Sequence, residues 1–190
     1  MTQIALFSSG NGTNAENIIK YFKKSRDINV AMVVSNNQNA FVHQRAKLLN
    51  IPSYTFSKKE ITDGNAVLSL LHEKQIEYII LAGFLLKIPN TILNQFPNRI
   101  INIHPSLLPK YGGKGMYGDN VHKKVIAEQD TQSGITIHYV NEKYDDGEII
   151  FQTKCTIQPN DTYKDVAQKV HKLEYAHFPR IIEEVILGKV

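Results

Sequence analysis

Through its first hundred residues the chain alternates short apolar runs with helical patterns, and this rhythm limits the fold more than any other feature. Residues 4–8, 28–34, 78–81 and 99–103 are near-continuous runs rich in Ile, Leu and Val. Such runs suit parallel strands buried on both faces. Residues 14–24, 41–49 and 66–74 read as helices, 91–96 as a short helix and 54–56 as a short strand. Ile18, Tyr21 and Phe22 form one face of the first helix, and Val67, Leu70 and Leu71 point inward from the third. The alternation predicts a parallel sheet covered by helices.

The second half changes character. Residues 110–118, KYGGKGMYG, hold four glycines and no apolar period, so they form a loop. Residues 121–128 are helical. Residues 135–140 and 149–157 are strands joined by a polar, Gly-containing stretch, which predicts an antiparallel pair. Residues 161–187 form one long helical pattern whose stripe of Val166, Val170, Leu173, Ile181, Ile182 and Val185 packs on the sheet. Pro179 should kink or interrupt it. With no repeat or linker, the expectation is one α/β domain over 1–190: Rossmann-like, mostly parallel, with an antiparallel C-terminal part.

Composition narrows the classes. A chain of 190 residues with 42% hydrophobic and 21% charged positions is an ordinary globular mix. The one cysteine, Cys155, excludes an internal disulfide framework and a cysteine-rich zinc site, and fits a reducing, cytoplasmic location. A net charge of +4 suits anionic small molecules and does not argue for nucleic acid. No run approaches the roughly 18 apolar residues of a membrane span, and MTQIALFSSGNG lacks the pattern of a signal peptide. The seven histidines show no H-x-x-x-H or H-E-x-x-H spacing, so no metal is expected.

Three segments carry chemistry. Phe7-Ser8-Ser9-Gly10-Asn11-Gly12-Thr13-Asn14-Ala15 leaves a strand and opens a helix. It reads either as a phosphate cradle built on a helix N-terminus or as a plain turn capped by Thr13 or Asn14. The dinucleotide fingerprint it partly matches expects an acid after the second strand, where Val34-Ser35-Asn36-Asn37 has none. In Arg99-Ile100-Ile101-Asn102-Ile103-His104-Pro105, Asn102 and His104 share one face of a strand. They read as an oxyanion donor and a proton carrier, or as polar groups bonded into a turn. Tyr144-Asp145-Asp146-Gly147-Glu148 reads as a hairpin loop, or as a carboxylate folded back on His104, whose pKa it would raise. His138 is either a core residue or a site residue. His43, His72, His122 and His177 read as surface or packing residues.

FSSGNGTNAENI at 7–18, LAGFLLKIP at 81–89, INIHPSLLPKY at 101–111, SGITIHYVNEKYDDGEII at 133–150 and LEYAHFP at 173–179 together resemble the phosphoribosylglycinamide formyltransferases, a group of folate-dependent formyltransferases. The segments keep the family's order and cover most of the chain. The resemblance implies a catalytic trio of Asn102, His104 and Asp145, with Thr136 supporting. It implies a ribonucleotide site at Gly12, Thr13, Asn14, His171 and Glu174, and folate contacts at Leu85, Leu86, Lys87, Ile88, Asn102, Asn141, Glu142, Lys143, Tyr144 and Asp145. It also implies a phosphate-binding half at 1–100, a catalytic and folate-binding half at 101–190, and a cis peptide at Leu108-Pro109. The cosubstrate is then 10-formyltetrahydrofolate and the acceptor phosphoribosylglycinamide, with no metal, nucleic acid or membrane partner, in a monomer or homodimer.

Departures from the family lie at Leu86, where many members carry arginine, at His171, often a glutamine, and in the glycine-rich loop, which lacks a histidine common there. The folate-tail arginine has no counterpart in 57–65. Related families sharing NIHPSLLP are the methionyl-tRNA formyltransferases, with an added C-terminal domain, the sugar-amine formyltransferases, and the formyltetrahydrofolate hydrolases, with an added N-terminal one. From other classes, a dinucleotide-binding oxidoreductase and a silent binding protein remain as alternatives.

Overall fold

The order of the strands follows from which of them are apolar on both faces. In the computed structural model, which describes residues 1–190, β1 (Thr2–Phe7) lies between β2 (Ile28–Ser35) and β4 (Tyr78–Leu81), parallel to both. Ile4, Ala5, Leu6 and Phe7 are fully buried there. β3 (Ser53–Thr55) extends the sheet beside β2, and β5 (Ile100–His104) pairs in parallel with β4. The seven strands run in the order β3-β2-β1-β4-β5-β6-β7. The chain divides into two compact units, Met1–Asn102 and Ile103–Val190, and the division falls inside β5.

The first unit carries helices α1 (Thr13–Phe22), α2 (Val42–Leu48), α3 (Lys58–Asp63), α4 (Asn65–Glu73) and α5 (Asn90–Leu93). Two expectations change here. Tyr21 does not share the buried face of α1; it is 47% exposed, and Ala15, Ile18, Ile19 and Phe22 form that face instead. The spacing of 15, 18, 19 and 22 keeps one stripe, and Tyr21 falls beside it. Helix α3 was not expected. A capping box forms it: Ser57 accepts from the backbone N–H of Glu60, and the Glu60 carboxylate accepts from that of Ser57.

The second unit holds the antiparallel pair β6 (Gln132–Tyr139) and β7 (Ile149–Thr156), helix α6 (Asp119–Ala127) and the long helix α7 (Tyr163–Ile186). Helix α7 packs on β6, β7 and α6. It runs on through Pro179, so the interruption expected there as one of two outcomes does not occur. Phe178, Pro179, Ile181, Ile182 and Val185 are all buried. Burial worth about 1.5–3 kcal/mol per large apolar side chain outweighs the roughly 3 kcal/mol cost of one interior proline.

Candidate active site

In the first unit the glycine loop leaves β1 and turns into α1 at Gly12, whose φ is 73°. The N-cap position of α1 is taken by Gly12, which has no side chain, and not by the expected Thr13 or Asn14. The helix start therefore keeps the polarity that attracts an anion. Helix α2 braces the loop from beneath. Val42 donates its N–H to the Gly10 carbonyl at 3.1 Å. Arg45 donates through Nε to the Asn11 carbonyl at 2.8 Å, bonds the Asn11 side chain through Nη2 at 3.0 Å and pairs with Glu16. Gly12 is required by contact as well as by conformation, since a Cβ there would meet the Val42 Cα at 2.9 Å.

Ser9, just before the loop, ties it to two neighbours. Its hydroxyl donates to Asn36 Oδ1 at 2.6 Å and accepts from the Leu85 N–H at 2.9 Å, while its own N–H donates to the Gly83 carbonyl at 3.0 Å. The expected folate segment thus starts on the loop's own support. Leu85 and Lys87 are exposed, Leu86 is half-buried and Ile88 is buried.

In the second unit the chemistry gathers around His104, which is 4% exposed. Its Nε2 lies 2.7 Å from the Tyr111 carbonyl. A carbonyl can only accept, so Nε2 carries the hydrogen. Its Nδ1 faces Asp145 Oδ1 at 3.5 Å. The Asp145 loop therefore folds back, as the second sequence reading required. Asp145 adopts a φ of 52°, and its Oδ2 accepts from the Gly113 N–H at 2.9 Å. His138 is buried, and its Nε2 lies 3.8 Å from Asp145 Oδ1. Period-two alternation left this residue undecided between core and site, and the structure shows it both buried and beside Asp145. Gly147 permits this packing: a Cβ there would sit 1.7 Å from the Tyr139 carbonyl oxygen.

The electrostatics differ from expectation at His104. Burial pushes its pKa below the ordinary value, and Asp145 and the Tyr111 carbonyl only partly offset this. A buried imidazole loses more hydration than one carboxylate at 3.5 Å restores. For Asp145, burial acts upward, but the neighbouring His138, the His104 charge and the Gly113 N–H together hold the carboxyl below its usual range.

Asn102 precedes His104 by two residues on β5 and is half-buried. Thr136 is fully buried. Its hydroxyl donates to the Ser106 carbonyl at 2.7 Å and accepts from the Leu108 N–H at 3.0 Å and Gln152 Nε2 at 2.8 Å. It thereby fixes the 106–108 turn, next to the cis peptide Leu108-Pro109. Asn141, Glu142, Lys143 and Tyr144 are exposed on the loop that leads to Asp145. On α7, Glu174 is buried and His171 exposed. The His171 ring lies between Tyr175, at 6.2 Å, and His122, at 6.5 Å. His122 is a buried residue of α6 whose Nδ1 has no hydrogen-bond partner. Cys155 is half-buried, and burial raises its thiol, so it is no activated nucleophile.

Residues 2–182 match the model of the family described as formyl transferase. The chain belongs to that family. This formyltransferase is 36% identical to the phosphoribosylglycinamide formyltransferase of Bacillus subtilis, over 98% of this chain and 95% of that one. Its fold matches the crystal structure of the Anaplasma phagocytophilum phosphoribosylglycinamide formyltransferase with a TM-score of 0.90 at 28% identity, covering 99% of this chain and 88% of the other. The Streptococcus pneumoniae structure of the same name gives a TM-score of 0.86 at 33% identity, covering 97% and 99%. The Rossmann-like α/β class read from the sequence is the fold of this formyltransferase.

Proposed function

We propose that this formyltransferase moves the formyl group of 10-formyltetrahydrofolate to the primary amine of phosphoribosylglycinamide, giving formylglycinamide ribonucleotide for purine synthesis. The observation that carries the reading is the pairing of buried His104 with Asp145 at 3.5 Å in a chain of this family. It acts on small molecules in the cytoplasm, as a single domain with a phosphate-binding half at 1–100 and a catalytic and folate-binding half at 101–190.

The amine attacks the formyl carbon, a new C–N bond forms, and the bond from that carbon to the folate N10 breaks. One proton leaves the amine and one reaches N10, so no covalent enzyme intermediate is needed. Asn102 donates to the developing oxyanion. His104 carries the proton on Nδ1, and Asp145 stabilises the imidazolium while the charge is present. The ribonucleotide phosphate binds the amides of Gly12, Thr13 and Asn14, with His171 and Glu174 contacting the remainder. Residues 85–88 and 141–145 hold the pterin, and Thr136 supports the turn behind His104.

The test offers phosphoribosylglycinamide, methionine-charged tRNA and water as acceptors of the formyl group. Formylation of phosphoribosylglycinamide alone, lost in His104→Ala with the fold intact, is expected. Transfer to tRNA or to water in its place, or an unimpaired His104→Ala enzyme, overturns the reading.

A further inference from the structure

Tyr111 adopts a φ of 59°, a left-handed backbone that an aromatic residue rarely takes. Such a conformation persists where the surroundings over-determine it. Here both ends of the residue are held. Its carbonyl lies 2.7 Å from His104 Nε2. Its phenol oxygen lies 2.7 Å from Glu128 Oε2 and 2.8 Å from Asp130 Oδ2. Lys110 closes the clamp, with Nζ 2.6 Å from Asp130 Oδ1, and the Ser106 hydroxyl donates to the Lys110 carbonyl at 2.6 Å. Two residues beyond Tyr111, Gly113 donates to Asp145 at 2.9 Å. One short segment therefore touches both members of the His104–Asp145 pair.

We propose that Tyr111 is a positioning residue: its carbonyl keeps a hydrogen on His104 Nε2, so the imidazole exchanges its mobile proton only through Nδ1, and its phenol anchors that carbonyl to Glu128 and Asp130. A histidine free to shift its hydrogen between two nitrogens would spend part of its time with the wrong one facing the reaction. The carbonyl removes that freedom, since at 2.7 Å a bare Nε2 would set two lone pairs against each other, whereas the carboxylate facing Nδ1 stands off at 3.5 Å. Asp145 faces the other nitrogen, Nδ1, at 3.5 Å, and His138 and His122 also act on this imidazole electrostatically. The inference rests on the reading of His104 as the proton carrier.

The experiment uses the full chain labelled with nitrogen-15 at histidine, with the His104 signals assigned by their loss in His104→Ala. At about pH 8, above the ordinary imidazole pKa, His104 is expected to be neutral with its hydrogen on Nε2. Tyr111→Phe, shown to be folded by circular dichroism, is expected to give a mixture of tautomers. It should also lower kcat about tenfold while both KM values stay within about twofold. A His104 hydrogen on Nδ1 in the wild-type protein overturns the proposal. So does a Tyr111→Phe enzyme with wild-type tautomer, whether or not its kcat falls. If Tyr111→Phe does not fold, Glu128→Gln tests the clamp by the same readouts. Full activity in His104→Ala would remove the proposed role of His104 and the positioning role of Tyr111 with it, whereas a wild-type tautomer in Tyr111→Phe removes the positioning role and leaves that of His104 standing.

Discussion

Arg45 reaches from α2 to Asn11 with two hydrogen bonds, one to the backbone carbonyl at 2.8 Å and one to the side chain at 3.0 Å. Its charge is matched by Glu16, so it acts on the loop as a brace more than as an attracting cation. Arg45→Ala is expected to raise the KM for phosphoribosylglycinamide about tenfold, the cost of one or two charge-assisted hydrogen bonds. The folate KM and kcat should be unchanged. Steady-state kinetics with each substrate varied in turn measures this.

Gly12 is unsuitable for probing the phosphate site, because any side chain there collides with Val42. Thr13→Asp tests the site without that collision. An acid in the first turn of α1 favours the helix, yet it sets a negative charge where the phosphate is proposed to bind. The expected result is an unchanged melting temperature together with a KM for the ribonucleotide raised by at least about tenfold. Calorimetry and kinetics on one preparation give both numbers.

Asp145→Asn keeps the shape of the side chain and removes its charge. The amide still accepts from Gly113 and no longer stabilises an imidazolium on His104. We expect kcat to fall by about 10²–10³, the range of general acid–base and electrostatic contributions. Circular dichroism should show the fold retained.

A methyl group at 147 would overlap the Tyr139 carbonyl. Gly147→Ala is therefore expected to lose about 2–3 kcal/mol of stability, the usual cost of overpacking. It should also lose activity, since the displaced loop carries Asp145. Urea unfolding measures the first effect and a formyl-transfer assay the second.

Acid should destabilise the protein before its carboxylates titrate. Burial, with His171 as the second cause, pushes His122 down to about 4 from an ordinary 6.5. The unfolded chain takes up that proton first, so this contribution is complete above pH 6.5 and is lost as pH falls from 6.5 toward 4. The loss is on the order of 3 kcal/mol. His104, also lowered, adds in the same direction. Urea midpoints across this interval should flatten in His122→Gln.

Local patterns in the sequence carried the strands, the glycine loop and the Asn102–His104 pair, because alternation and turn chemistry act over a few residues. The capping box of α3 was also legible, as Ser57 three residues before Glu60, but no apolar period drew attention to it. Tyr111 was not legible as a partner of His104. Its carbonyl belongs to the backbone, and nothing in its residue type announces where that oxygen points. The direction of the His104 pKa is not legible in the sequence for a related reason: a carboxylate within reach raises it, whereas the depth of burial that outweighs this depends on the whole fold. The stripe of α7 is strong enough to carry the helix on through Pro179, a balance against interruption that a proline rule applied alone does not weigh.

The hydroxyl of Thr136 has one hydrogen and two lone pairs, and Ser106, Leu108 and Gln152 consume all of them. It has nothing left to offer a substrate. Its replacement by valine, equal in size, would strand the Leu108 amide and the Ser106 carbonyl in a dry interior, and the damage would surface at the histidine that it never touches.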